Sequence, residues 1–157
     1  TGMHLALIPL VMTSFATVGY DNMLFVAFIG MNFSQFGVAM ACLLKSKNAN
    51  LKALAGSCAL TSFLAGVTEP TLYGICFRFT RCFVTMAVGG FVGGAIAGIF
   101  DLKGYAITSA NFLSLLGYVG GTNANIVVGV VASFASLIVA AVLTYLFGFS
   151  QKDLESV

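Results

Sequence analysis

Two runs of more than twenty residues, Met23 to Leu44 and Ile126 to Phe149, contain no charged side chain. A helix that spans a bilayer needs roughly 20 mostly apolar residues, and both runs meet that length. A third, Phe83 to Phe100, is slightly short but also uncharged. Only 8% of the whole chain is charged and 59% is hydrophobic, with a mean hydropathy of +1.02. A soluble domain carries about 25% charged residues, so the outer surface of this chain must meet lipid or other protein. The net charge of +2 leaves no basic footprint for nucleic acid. The fold class expected is an all-α, polytopic membrane helix bundle.

The remaining apolar stretches are short and broken. Leu5 to Val18 contains Pro9 and several hydroxyl residues, and Leu54 to Ala65 is too short to span. Phe112 to Val119 runs into Gly120-Gly121-Thr122-Asn123. Interrupted segments at membrane depth occur where they are buried in protein or line a cavity, which is a transporter's pattern. Basic residues mark the cytoplasmic side. Lys45, Lys47 and Lys52 precede residues 53–77, and Arg78 and Arg81 follow them. Both ends of that segment are thus expected in the cytoplasm, and 25 residues cannot cross twice. The expected solution is a re-entrant hairpin turning at Gly66-Val67-Thr68-Glu69-Pro70, with spans near 23–44, 83–100 and 126–149, residues 101–125 facing outward, and a cytoplasmic linker at 150–157. On the third span, Gly89-x3-Gly93 and Gly90-x3-Gly94 form two overlapping small-residue pairs that allow close helix approach. Both pairs, Gly90 and Gly94 included, are expected to face another helix.

Glu69 is the most informative single residue. A carboxylate at membrane depth costs several kcal/mol (about 3 or more), and one on an unwound turn is a good acceptor for a hydroxyl-rich ligand. The alternative is a structural ion pair with Arg78 or Arg81. His4, the only histidine, either bonds a polar ligand or sits at a helix mouth. Asp21-Asn22 reads as a loop or cap, with a substrate role for Asn22 as the second possibility. Cys42, Cys58, Cys76 and Cys82 have no metal-ligand spacing and no cofactor motif is present. The opening Thr-Gly-Met-His has no basic n-region and is not a signal peptide; the expectation is a start within a longer protein. No stand-alone enzyme signature occurs, and no catalytic residue is assigned.

Gly66-Val67-Thr68-Glu69-Pro70, continued by Thr71-Leu72-Tyr73-Gly74, resembles the G-[IV]-T-E-P motif of the membrane domain, IIC, of phosphotransferase-system sugar permeases in the glucose superfamily. The continuation is similar to the β-glucoside, sucrose and trehalose branch, as are Gly2-Met3-His4, Thr17 to Asn22 and Gly117 to Asn123. Prolines that close relatives would carry near Val26, Cys82 and Leu116 are missing. The resemblance implies that residues 1–149 are the C-terminal part of a IIC domain in the bacterial inner membrane. It implies a homodimer that binds a sugar and presents it to IIB and IIA phosphotransferase domains. It also implies that Glu69 and His4 contact the sugar, with Thr68 beside them, and that this piece alone is inactive. A proton-coupled secondary transporter, with Glu69 as the proton carrier, is the competing function.

Overall fold

The structure is a computed structural model and describes residues 6–108 and 111–149. Among these the chain is helical, and its one extended pairing is an isolated bridge between Asp21 and Gly104. The elements are α1 (Ile8–Val18), α2 (Leu24–Lys45), α3 (Ala49–Leu60), a short α4 (Glu69–Thr71), α5 (Thr80–Ile99) and α6 (Asn123–Leu143). A 3-10 helix, Phe112–Tyr118, precedes α6. Wider π turns follow α3 at Thr61–Ala65, α4 at Leu72–Cys76, and α6 at Thr144–Gly148.

Among the described residues, three helices are long and apolar enough to cross a membrane: Leu24–Lys45, Thr80–Ile99 and Asn123–Gly148. They pack against one another as the core of the bundle. Lipid is as apolar as leucine, so such packing rests on close approach and interhelical hydrogen bonds. Both are present. Ser34 donates to the Met86 carbonyl at 2.6 Å, and Ser136 donates to the Gly30 carbonyl at 2.8 Å. The Thr85 and Thr144 hydroxyls meet at 2.6 Å. The outer faces are apolar instead: Val131, Phe134, Ile138 and Val142 of α6 are all exposed. Only 28% of the most apolar window of Asn123–Gly148 is buried. Such a surface requires an apolar surrounding.

The glycine pair that packs is not Gly90 with Gly94. A Cβ at Gly89 would lie 2.6 Å from that of Ala140, and one at Gly93 would lie 2.7 Å from that of Ser136. Atoms added at Gly90 or Gly94 would meet nothing within 4 Å. The reason is helical geometry: consecutive residues point about 100° apart, so two overlapping pairs cannot serve the same neighbour. Gly89 and Gly93 took the face toward α6.

The two ends of the bundle are built differently. At one, Lys45 donates to the Tyr145 carbonyl and lies over the Tyr145 ring, while the Cys82 thiol donates to the Gly148 carbonyl. At the other, a loop after α5 meets the start of α2. The Asp21 carboxylate accepts from the backbone N–H of Met23 and of Phe25, at 3.1 and 2.8 Å, and so caps α2. Asn125 ties this end together. Its side-chain oxygen accepts from the Lys103 N–H at 3.0 Å, and its NH2 donates to the carbonyls of Lys103 and Tyr118. Asn125→Ala would leave these backbone groups unpaired at about 1 kcal/mol or more each. We expect it to lower the melting temperature of the purified protein by several degrees.

Candidate functional site

Residues 49–76 fold into a helical hairpin. The rising arm is α3 with its π turn, and Gly66 ends it in a left-handed conformation, φ +71°. That backbone conformation favours glycine because a Cβ would crowd the following carbonyl. The returning arm is α4 with its own π turn, and Pro70 sits in the first turn of α4, where no donor is needed. The arms are joined by the Ser62 and Thr71 hydroxyls, 2.9 Å apart. Gly74 brings the returning backbone close: a Cβ there would meet Leu54 at 3.6 Å and the Cys58 sulfur at 3.8 Å. The lower part of the hairpin is an apolar core in which Ala55, Cys58, Ile75 and Cys76 pack with Val38, Ala39 and Cys42 of α2. Cys42, Cys58, Cys76 and Cys82 are all buried.

The height of the tip follows from one aromatic column. Phe63 stacks on Phe36 of α2, with ring centroids 4.9 Å apart, and on Phe112 on its other side at 5.2 Å. Phe36 lies twelve residues into α2 from Leu24, about 18 Å along the helix axis at 1.5 Å per residue. The hairpin tip therefore stands level with the middle of α2. Asn111 steadies it by donating to the Leu64 carbonyl at 3.2 Å.

Glu69 opens α4 at this tip, with its residue exposed. Among the described residues, no ion pair joins it to Arg78 or Arg81; the one pair found is Lys103 with Asp101, 3.2 Å apart. Thr68 stands next to Glu69. Its carbonyl accepts from the Leu72 N–H at 3.0 Å, and its hydroxyl makes no capping bond. Glu69 and Thr68 are thus brought together at the hairpin tip. Asn22 is not with them. It lies at the far end of α2, where its NH2 donates to the Asp101 carboxylate at 3.3 Å. That bond, and then Lys103, hold the Asp101 carboxyl below its usual value, while Asp101 raises the Lys103 ammonium. A lowered carboxyl keeps this pairing down to the ordinary value of 3.8 and loses it only as pH falls further. His4 lies outside the described residues.

Four polar residues near the tip were not picked out from the sequence. Asn32, Ser62 and Asn111 line a small cleft together with Phe33, Phe36, Phe63 and Phe112. Gln35, one residue before the stacked Phe36, is fully buried, and neither end of its amide has a hydrogen-bond partner among the described residues. A buried unpaired group of this kind costs about 1–3 kcal/mol. The signal was present in the sequence: Asn32 and Gln35 are the only amide side chains in the uncharged run Met23 to Leu44.

Comparison with known proteins places this arrangement. No family profile matches the chain, and no solved structure matches it. Curated sequences do. The chain is 30% identical over 156 residues to the PTS system arbutin-, cellobiose-, and salicin-specific EIIBC component of Escherichia coli K12, covering 99% of the chain and 32% of that protein. It is 35% identical over 152 residues to the PTS system beta-glucoside-specific EIIBCA component of Bacillus subtilis 168, covering 96% of the chain and 24% of that protein. A PTS system sucrose-specific EIIBC component of Salmonella typhimurium is 34% identical over 100 residues, 57% of the chain and 21% of that protein. The chain spans a third or less of the length of these relatives. With three apolar helices of spanning length and a T-E-P turn in a hairpin between the first two of them, the chain belongs to the phosphotransferase-system sugar permeases and corresponds to their membrane-embedded EIIC region.

Proposed function

We propose that this segment carries part of the sugar-binding site of a phosphotransferase permease, within the membrane, with Glu69 as the principal hydrogen-bond acceptor for sugar hydroxyls. The observation that carries this reading is the placement of an exposed carboxylate, with no ion pair among the described residues, at a hairpin tip level with the middle of a spanning helix. A carboxylate there is too costly to keep for packing alone, and it accepts hydroxyl hydrogen bonds at charge-assisted strength. Thr68 adds a hydroxyl beside it that makes no capping bond. The names of the relatives point to a β-glucoside or sucrose as substrate. A IIB domain then phosphorylates the bound sugar, IIA recharges IIB, and the permease works as a homodimer in the bacterial inner membrane. His4 and Asn22 belong to this reading differently: His4 as a second sugar contact, and Asn22 only if the sugar passes the outer end of α2 on its way in. Sugar binding by the Glu69→Gln permease is the deciding experiment.

The same reading makes the hairpin re-entrant. Lys45, Lys47 and Lys52 stand at one base of it, and Arg78 and Arg81 at the other. We expect single cysteines at Asn48 and Thr80, each in a cysteine-free full-length permease, to react with a membrane-impermeant thiol reagent from the cytoplasmic side only. Reaction of either from outside the cell would rule out a hairpin that enters and leaves on one side.

A further inference from the structure

Gln35 is the one amide among the buried polar side chains described, and it has no partner there; the Thr108 and Ser114 hydroxyls are the other buried polar groups in that state. The other buried polar side chains of the interhelical core have partners: Ser34 with Met86, Ser136 with Gly30, Thr85 with Thr144, and Ser62 with Thr71. Gln35 is 0% exposed, and both amide atoms lack a partner. Its position on α2 is set by its neighbours. Ser34 reaches α5, and Phe36 stacks on the hairpin's Phe63. Val38, Ala39 and Cys42, which continue the Gln35 face by one and two turns, pack into the hairpin core. Gln35 therefore sits between α5 and the hairpin, at the height of its tip. An apolar residue would fill this place without loss, since an amide buried without a partner forfeits its hydration.

We propose that Gln35 is a further sugar-contacting residue, covered in this conformation and reached when the hairpin tip moves off α2. The proposal rests on the sugar-site reading given above. A primary amide offers two donors and two acceptor lone pairs, which matches sugar hydroxyls that donate and accept alike. The tip is built to move. π turns interrupt both arms, at Thr61–Ala65 and Leu72–Cys76, and such turns recur at functional sites. Among the described residues, one side-chain hydrogen bond ties the tip to the rest of the bundle, Asn111 to the Leu64 carbonyl at 3.2 Å, while Ser62 to Thr71 at 2.9 Å and Ser62 to the Val67 carbonyl at 3.4 Å lie within the hairpin and move with it. The small cleft near the tip is lined by Asn32 and Asn111, whose NH2 groups bond the Phe28 and Leu64 carbonyls, and by the rings of Phe36, Phe63 and Phe112. Ring faces suit the C–H faces of a pyranose, and amides suit its edge.

The test separates a ligand contact from a structural amide because the two move stability and affinity differently. Gln35→Leu and the straight-chain Gln35→Met are made in the full-length permease, with Glu69→Gln in parallel. Salicin and sucrose binding to purified protein is measured together with the melting temperature. The expected result is a loss of at least tenfold in affinity for the sugar that wild type binds, with the melting temperature unchanged or raised. Unchanged affinity in both Gln35 variants, while Glu69→Gln loses binding, overturns the role of Gln35 alone. Unchanged affinity in all three overturns the sugar-site reading itself. Unfolding of both Gln35 variants assigns the amide to the fold and also overturns the proposal.

Discussion

Glu69→Gln in the full-length permease should leave insertion and assembly intact and weaken sugar binding by roughly ten- to a hundredfold. The substitution keeps the side chain's shape and removes its charge. It also replaces one of two strong acceptor oxygens by a donor. A hydrogen bond to a charged group is worth about 1.5–3 kcal/mol, and every 1.4 kcal/mol is about tenfold in affinity. The protein should not suffer, because Glu69 is exposed and, among the described residues, has no ion pair to lose. Glu69→Asp should also bind poorly. Its carboxylate is drawn back by one methylene on a turn that Gly66 and Pro70 hold in place. Binding of salicin and sucrose to purified protein checks both variants, beside phosphorylation of the sugar with partner proteins present. Wild-type affinity in a folded Glu69→Gln protein would refute the role given to Glu69. Uptake that follows the proton gradient and ignores phosphoenolpyruvate would instead favour a proton-coupled carrier.

The second large effect is one of packing. Gly93→Leu, or Gly89→Leu, should prevent α5 and α6 from closing. At Gly93 the first added atom would already lie 2.7 Å from the Ser136 Cβ and 3.1 Å from the Ala132 carbonyl oxygen. At Gly89 it would lie 2.9 Å from the Ser136 carbonyl oxygen and 3.0 Å from the Ala140 Cα. Backbone atoms on a packed helix cannot step aside as a flexible side chain can. Overpacking costs typically 1–3 kcal/mol, occasionally more, and these two sites should reach about 3 kcal/mol or above. The Thr85 to Thr144 hydrogen bond, which needs the same spacing, would be strained with them. Gly90→Leu and Gly94→Leu meet open space and should be far milder. The yield of monodisperse protein in detergent and its melting temperature compare the two pairs. An equal loss from both would mean that the second face of α5 is packed as closely as the first.

How far the sequence reaches can be judged at particular residues. The absence of charge across Met23 to Leu44 and Ile126 to Phe149 already required helices surrounded by something apolar, because unpaired backbone groups in lipid are too costly for any open structure. The T-E-P turn and its flanking basic residues singled out Glu69 before any fold was known. These readings rest on local chemistry: hydropathy over about twenty residues, a proline, a glycine, a carboxylate.

Tertiary structure decided what local chemistry leaves open. Which glycine pair faces α6 depends on the rotation of α5 about its axis, and Gly89-x3-Gly93 and Gly90-x3-Gly94 are equivalent as spacings. Asn125, as the tie between the Lys103 loop and Tyr118, needs a partner 22 residues away. The height of the hairpin tip came only from Phe63 meeting Phe36 and Phe112. Gln35 shows the division most clearly. Its presence in an apolar run is visible in one line of sequence, but burial without a partner is a property of everything packed around it, and that exists only once α2, α5 and the hairpin have come together.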